Sequence, residues 1–185
     1  MKYLDKEVRE NDMKGGAKEY LFVDGYNIIN NWSNLRELSK QSLELSRNEL
    51  IDILAEYQSY TGIKVIVVFD AHLVKGSMEK KEILKGVEVV YTKEKESADH
   101  YIERTLDAIG RTKKIRVATS DWIEQQVIMG RGGTRISARE LKLEVDHYKE
   151  MIRKKNKANN ETNDMLMGRL DEKILEKLEK LRKNE

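Results

Sequence analysis

Two apolar runs, Tyr20-Leu21-Phe22-Val23 and Val65-Ile66-Val67-Val68-Phe69, each end on an aspartate, Asp24 and Asp70. Runs this apolar have no wet side. They predict strands buried on both faces, as in a parallel sheet covered by helices. The stretches between them agree. Leu43, Leu50, Ile53, Leu54 and Tyr57 recur at helical spacing from Leu43 to Tyr60, and Gly62 follows at a C-cap position. Val87 to Tyr91 predicts a third strand, Ser97 to Ile109 a helix, and Ile115 to Thr119 a fourth strand. Asp121 to Met129 predicts a short helix closed by Gly130, and Thr134-Arg135-Ile136 a small last strand. Ser137 with Glu140 forms a capping-box pattern for a helix from about Ala138. Strands that alternate with helices in this way predict an α/β fold with a mostly parallel sheet. In such sheets the reactive groups gather at the carboxyl ends of the strands.

Composition narrows the chemistry. The 185 residues suit one domain with tails. No cysteine is present, which excludes disulfides, thiolate zinc sites and a cysteine nucleophile. The three histidines, His72, His100 and His147, share no metal-ligand spacing, so a catalytic metal would be held by oxygen and would be Mg²⁺ or Mn²⁺. With 37% charged residues and a net charge of +2, the balance neither demands nor excludes a polyanionic partner. No apolar run is long enough to span a membrane, and Met1 to Gly16 lacks the apolar centre of a signal peptide. The chain therefore reads as soluble and cytoplasmic.

The strand ends carry the strongest functional signal. Asp24 and Asp70 close strands, Asp121 lies two residues past another, and Asp99 falls in the first turn of a helix after a third. An aspartate at such a place can be a helix cap or turn former and nothing more. Four of them at one edge would repel one another unless a cation lies between. Asn27, in Asp24-Gly25-Tyr26-Asn27, can fix a water or a phosphate oxygen, or can cap the helix that begins near Ile28. Thr119 and Ser120 place hydroxyls beside Asp121, and Arg131, Arg135 and Arg139 flank the same edge as candidate phosphate contacts.

Other chemistries fit less well. A haloacid-dehalogenase-type phosphatase needs a second aspartate two residues after the first, where this chain has Tyr26. Gly130-Arg131-Gly132-Gly133 matches neither a dinucleotide fingerprint nor a Walker loop, and no G-x-S-x-G elbow exists.

Taken together, Val23-Asp24-Gly25-Tyr26-Asn27, Phe69-Asp70-Ala71-His72, the stretch from Glu96 to Glu103, Val117-Ala118-Thr119-Ser120-Asp121-Trp122, and Arg135-Ile136-Ser137-Ala138-Arg139-Glu140-Leu141 resemble the NYN domains of the PIN-like nuclease superfamily, and within them the YacP-like ribonucleases. The resemblance runs from about Glu19 to Val145. It implies a three-layer α/β/α fold and metal-dependent endonucleolytic cleavage of RNA, with Mg²⁺ or Mn²⁺ as cofactor. Asp24, Asp99 and Asp121 match the acidic metal-binding set, Asp70 a further acid, and Asn27 the asparagine of the motif. A role in messenger RNA decay, with the ribosome as partner, is also implied by the resemblance. An RNA- or ribosome-binding module with little nuclease activity is the competing class.

The remaining segments are expectations about organisation: a flexible extension over 1–17, the nuclease domain over 18–150, and a C-terminal helical extension over 151–185. In that extension the basic run Arg153 to Lys157 makes a joint before an amphipathic helix carrying Leu170, Ile174, Leu178 and Leu181. Ala71 to Gly86 reads as a long basic loop, with Lys75, Lys80, Lys81 and Lys85.

Overall fold

The computed structural model describes residues 19–70, 78–109, 113–119, 133–155 and 157. The chain forms β1 (Glu19–Asp24), α1 (Gly25–Asn31), α2 (Ser33–Gln41), α3 (Leu43–Thr61), β2 (Lys64–Phe69), β3 (Lys80–Leu84), β4 (Val87–Tyr91), α4 (Ala98–Ile109), β5 (Lys114–Ala118) and β6 (Thr134–Ile136). A last helix, α5, covers 138–155. The sheet and its site belong to a compact unit that ends at Val145.

The six strands make one sheet in the order β3-β4-β2-β1-β5-β6. Every neighbouring pair is parallel except β3 with β4. The two central strands are the apolar runs, and in β2 every residue after Lys64 is buried. Alternation along each strand splits this core in two. On one face Phe22, Ile66, Val68, Val90, Ile115 and Val117 pack against Ala98, Tyr101, Ile102 and Leu106 of α4. The helices α1 and α3 pack on the sheet as well, with Ile28, Leu50, Leu54 and Tyr57 buried.

The helix ends follow the local chemistry of the chain. Ser42 caps α3, its hydroxyl accepting from the Leu45 N–H at 3.3 Å, and Gly62 ends it in the left-handed region at φ 73°. Ser97 accepts from the His100 N–H at 3.3 Å at the start of α4. At α5 the expected capping box is formed: Ser137 N–H donates to the Glu140 carboxylate at 2.7 Å, and Glu140 N–H donates to the Ser137 hydroxyl at 3.2 Å.

Two features differ from the sequence expectations. The segment read as one basic loop from Ala71 to Gly86 contains β3, which pairs antiparallel with β4 from Lys80↔Tyr91 to Leu84↔Val87. The turn between them is Lys85-Gly86, both with positive φ, 52° and 88°, as a two-residue hairpin with right-handed twist requires. The helix α2 was not expected, because of its side chains only Leu35 is buried. The expected helix from Asp121 to Met129 and the amphipathic segment beyond 159 lie outside the described residues. Among the described residues no helix is long and apolar enough to cross a membrane.

Candidate active site at the carboxyl edge of the sheet

The parallel strands bring their carboxyl ends to one edge. Asp24 is the last residue of β1, Asp70 follows β2 directly, and Asp99 is the second residue of α4. Asp24 also caps α1, its carboxylate accepting from the Asn27 N–H at 3.1 Å. The cap and a metal-binding role are compatible, since a carboxylate has more acceptor positions than the turn's N–H groups use. Asn27 lies inside α1 and is not the cap; its side-chain carbonyl accepts from Asn31 at 3.2 Å.

Electrostatics tie the three acids together. The Asp24 carboxyl is pushed up to about 6, first by burial and then by the negative charges of Asp99 and Asp70, against the lowering effect of the Asn27 and Tyr26 backbone N–H groups. Among the described residues no lysine or arginine forms a salt bridge with Asp24 or Asp99. No three described acids or histidines form a complete metal-binding group by themselves, and the fourth acid of the motif, Asp121, lies outside the described residues together with Ser120 and Arg131. The oxygen-only donor set and the mutual repulsion felt at Asp24 fit a hard divalent cation.

The other candidates are placed as follows. Thr119 continues β5 at the same edge; its N–H donates to the Ile136 carbonyl at 3.2 Å and the residue is wholly buried, so its hydroxyl is not offered to solvent. Arg135 is exposed in the middle of β6, paired in register with Val117. Arg139 is exposed in the first turn of α5.

Gly25 shows why the turn after Asp24 has its sequence. A Cβ there would collide with the Phe69 ring, which packs directly on the backbone of the turn. Phe69 is itself fully buried and carries two further rings: Tyr26 at 5.2 Å, tilted, and Tyr91 at 5.6 Å, stacked. Arg47 donates to the Tyr26 hydroxyl at 3.2 Å and stands 5.8 Å from the centre of the Tyr91 ring. None of Tyr26, Arg47 and Tyr91 was a candidate from sequence. In sequence Tyr26 argues against a phosphatase and sits in the NYN-like motif with no role of its own, and nothing in the chain order links four residues on four elements. The one usable signal is that Tyr91, like Asp24 and Asp70, closes a parallel strand.

Comparison with known proteins agrees with this architecture. The sequence profile of the YacP-like NYN domain matches residues 21–183, well past the Val145 at which the recognisable motifs stop. A Bacillus subtilis (strain 168) protein described as "Uncharacterized protein YacP" is 46% identical over 170 residues, 90% of this chain and 98% of its own. The crystal structure of Rae1 (YacP) from Bacillus subtilis is similar with a TM-score of 0.67 at 45% identity, covering 89% of this chain and 94% of that one. A point mutant of the same protein is similar with a TM-score of 0.63 at 46% identity, over 74% and 80% of the two chains.

Proposed function

Because this chain belongs to the YacP-like NYN domain family, we propose that it is a metal-dependent endoribonuclease. Its substrate is RNA, cut internally by hydrolysis, with messenger RNA on the ribosome as the setting that the family resemblance favours. The observation that carries this reading is the placement of Asp24 and Asp70 at the carboxyl ends of adjacent parallel strands, with Asp99 in the first turn of α4 and close enough for its charge to act on Asp24. A site meant only to bind a polyanion gains nothing from crowded carboxylates. A site that holds a divalent cation needs them.

In this reading Asp24, Asp99 and Asp121 hold Mg²⁺ or Mn²⁺, which when bound supplies charge to offset the phosphodiester and lowers the pKa of an attacking water. The chain's own residues do the rest. The Asn27 N–H fixes the Asp24 carboxylate. Asp70 acts as a further ligand or as an outer acid that orients water. The Asn27 side chain and Ser120 hold water and phosphate oxygens. Arg131 and Arg135 take backbone phosphates on the β5–β6 side. Thr119, being buried, supports that side by packing.

The test is incubation of the full chain with RNA, with and without Mn²⁺, beside Asp24→Asn, on naked RNA and on translating ribosomes. Internal cleavage by the parent, dependent on Mn²⁺ and lost in Asp24→Asn, is the expected result. Equal cleavage by both forms at saturating Mn²⁺, or no cleavage in either setting, overturns the reading.

A further inference from the structure

Three arginines described in the structure have their guanidinium groups held by identified partners, and one of them is held differently from the others. Arg104 meets two carboxylates, Glu79 at 2.9 Å and Glu96 at 3.0 Å. Arg116 meets Glu144 at 2.7 Å and Glu19 at 3.8 Å. Arg47 is half-buried, and its polar partner is the Tyr26 hydroxyl. Among the described residues no carboxylate pairs with it. A partly desolvated guanidinium without an anion is costly, so its place suits an anion that arrives from outside.

The surroundings say which anion. Because α3 ends at Thr61, just before β2 begins at Lys64, its opposite end, where Arg47 sits, lies toward the carboxyl edge of the sheet. Arg47 bonds to the Tyr26 hydroxyl and lies over the Tyr91 ring, and both tyrosines are half-exposed and braced by the fully buried Phe69. Lys80, opposite Tyr91 in the β3–β4 pairing, adds an exposed ammonium 5.8 Å from the same ring, although Glu82 pairs with it at 2.7 Å. A guanidinium held over one aromatic ring and bonded to a second offers a nucleotide with an unpaired base what it needs: a flat cation and ring surface for the base to stack on, and a charge for the phosphate. A duplex hides its base faces and cannot use them.

We infer that Tyr26, Arg47 and Tyr91 form a binding site for one nucleotide of single-stranded RNA, on the β4 side of the acidic centre. This rests on the nuclease reading for its choice of RNA and for the direction of the strand. The strand crosses the carboxyl edge from Tyr91, past Asp24, toward Arg135. Phe69 fixes the spacing, since its ring packs both on the Asp24-Gly25 turn and on the two tyrosines.

The experiment measures binding of a fluorescent single-stranded oligouridylate, and of a duplex of equal length, to the full chain carrying Asp24→Asn. Tyr91→Leu keeps bulk and removes the π-face; it should weaken single-strand binding by about fivefold or more and leave duplex binding unchanged. Tyr91→Phe should bind within about twofold of the parent. Arg47→Gln should reduce the slope of log affinity against log salt by about 0.7, the value for one phosphate contact on a single strand. If Tyr91→Leu lowers stability, Tyr91→Phe and Arg47→Gln still decide the matter. Unchanged affinity in Tyr91→Leu together with an unchanged salt slope in Arg47→Gln overturns the inference, as does a parent that binds no single strand. Cleavage is scored separately: a parent that cuts RNA while these variants bind and cut as it does would leave the nuclease reading standing and remove this site.

Discussion

The two edges of the sheet treat charge in opposite ways. At the amino edge the charges are paired off. Lys64 at the start of β2 meets Glu88 of β4 at 3.5 Å, Lys114 at the start of β5 meets Glu19 of β1 at 3.9 Å, and Arg116 joins Glu19 to Glu144. Tyr57 donates to the same Glu144 at 2.9 Å. At the carboxyl edge Asp24 is largely buried and feels charge of its own sign from Asp99 and Asp70. One edge is built to be satisfied within the fold. The other holds an acid whose charged form is disfavoured, first by burial and then by its acidic neighbours. That difference distinguishes the two ends of the sheet more sharply than the number of acids at either.

Substitutions at the two edges should therefore have opposite signatures. The largest effect belongs to Asp24→Asn, which should lower RNA cleavage by more than about 100-fold, the upper cost of losing merely an outer partner of a metal ligand. Its circular dichroism should be that of the parent. A loss of less than tenfold would mean that the carboxyl edge is not where the chemistry occurs.

Next in size is the pH dependence of stability without metal. The Asp24 carboxyl stands at about 6 in the fold against the ordinary 3.8. As pH rises from about 4 to 6, the unfolded chain gives up this proton while the folded chain keeps it, so the fold becomes less stable across that window and flat above it. The full shift corresponds to roughly 3 kcal/mol, an upper figure because water and side-chain relaxation soften the penalty. Asp24→Asn should lack this fall. Urea titrations of both forms at pH 4 and pH 7 check it: the stability advantage of the variant should be larger at pH 7. An advantage that is equal at both values would remove the cost of charging Asp24 in the fold as its cause.

The smallest effect lies at the other edge. Arg116→Met leaves Glu144 without its cation and Glu19 with Lys114 alone, and should cost about 1–2 kcal/mol, below a fully buried pair because the group is partly wet. Catalysis per folded molecule should be unchanged. A variant that keeps its stability but loses cleavage would show that the amino edge also serves the reaction.

How much of this could be read from the chain depends on which forces set each part. The central strands and the acids that close them were legible because a run such as Val65 to Phe69 has only one way to be buried, and a residue at its end has only one edge to occupy. The strand β3 was not, since its sequence Lys-Lys-Glu-Ile-Leu is largely polar and its pairing comes from the hairpin turn and from β4. The pressure on Asp24 was expected from the clustering of acids, yet its largest cause is burial, which requires the packed turn of Gly25 against Phe69. The Tyr26–Arg47–Tyr91 group was illegible for a different reason. Its members are brought together by tertiary packing from β4, α1 and α3, with no spacing in the sequence to announce it.

The contrast between the edges is tested most directly by titrating Mn²⁺ into the full chain and following its melting temperature at pH 7, for the parent, Asp24→Asn and Arg116→Met. The parent should start lower than Asp24→Asn and rise with Mn²⁺ as the cation relieves the acids. Asp24→Asn should start higher and respond little. Arg116→Met should start lowest and rise by the same increment as the parent. An Mn²⁺ response in Asp24→Asn equal to that of the parent, at the same concentrations, would contradict the account: the ion would then bind elsewhere, and the repulsion at the carboxyl edge would not be what a metal relieves.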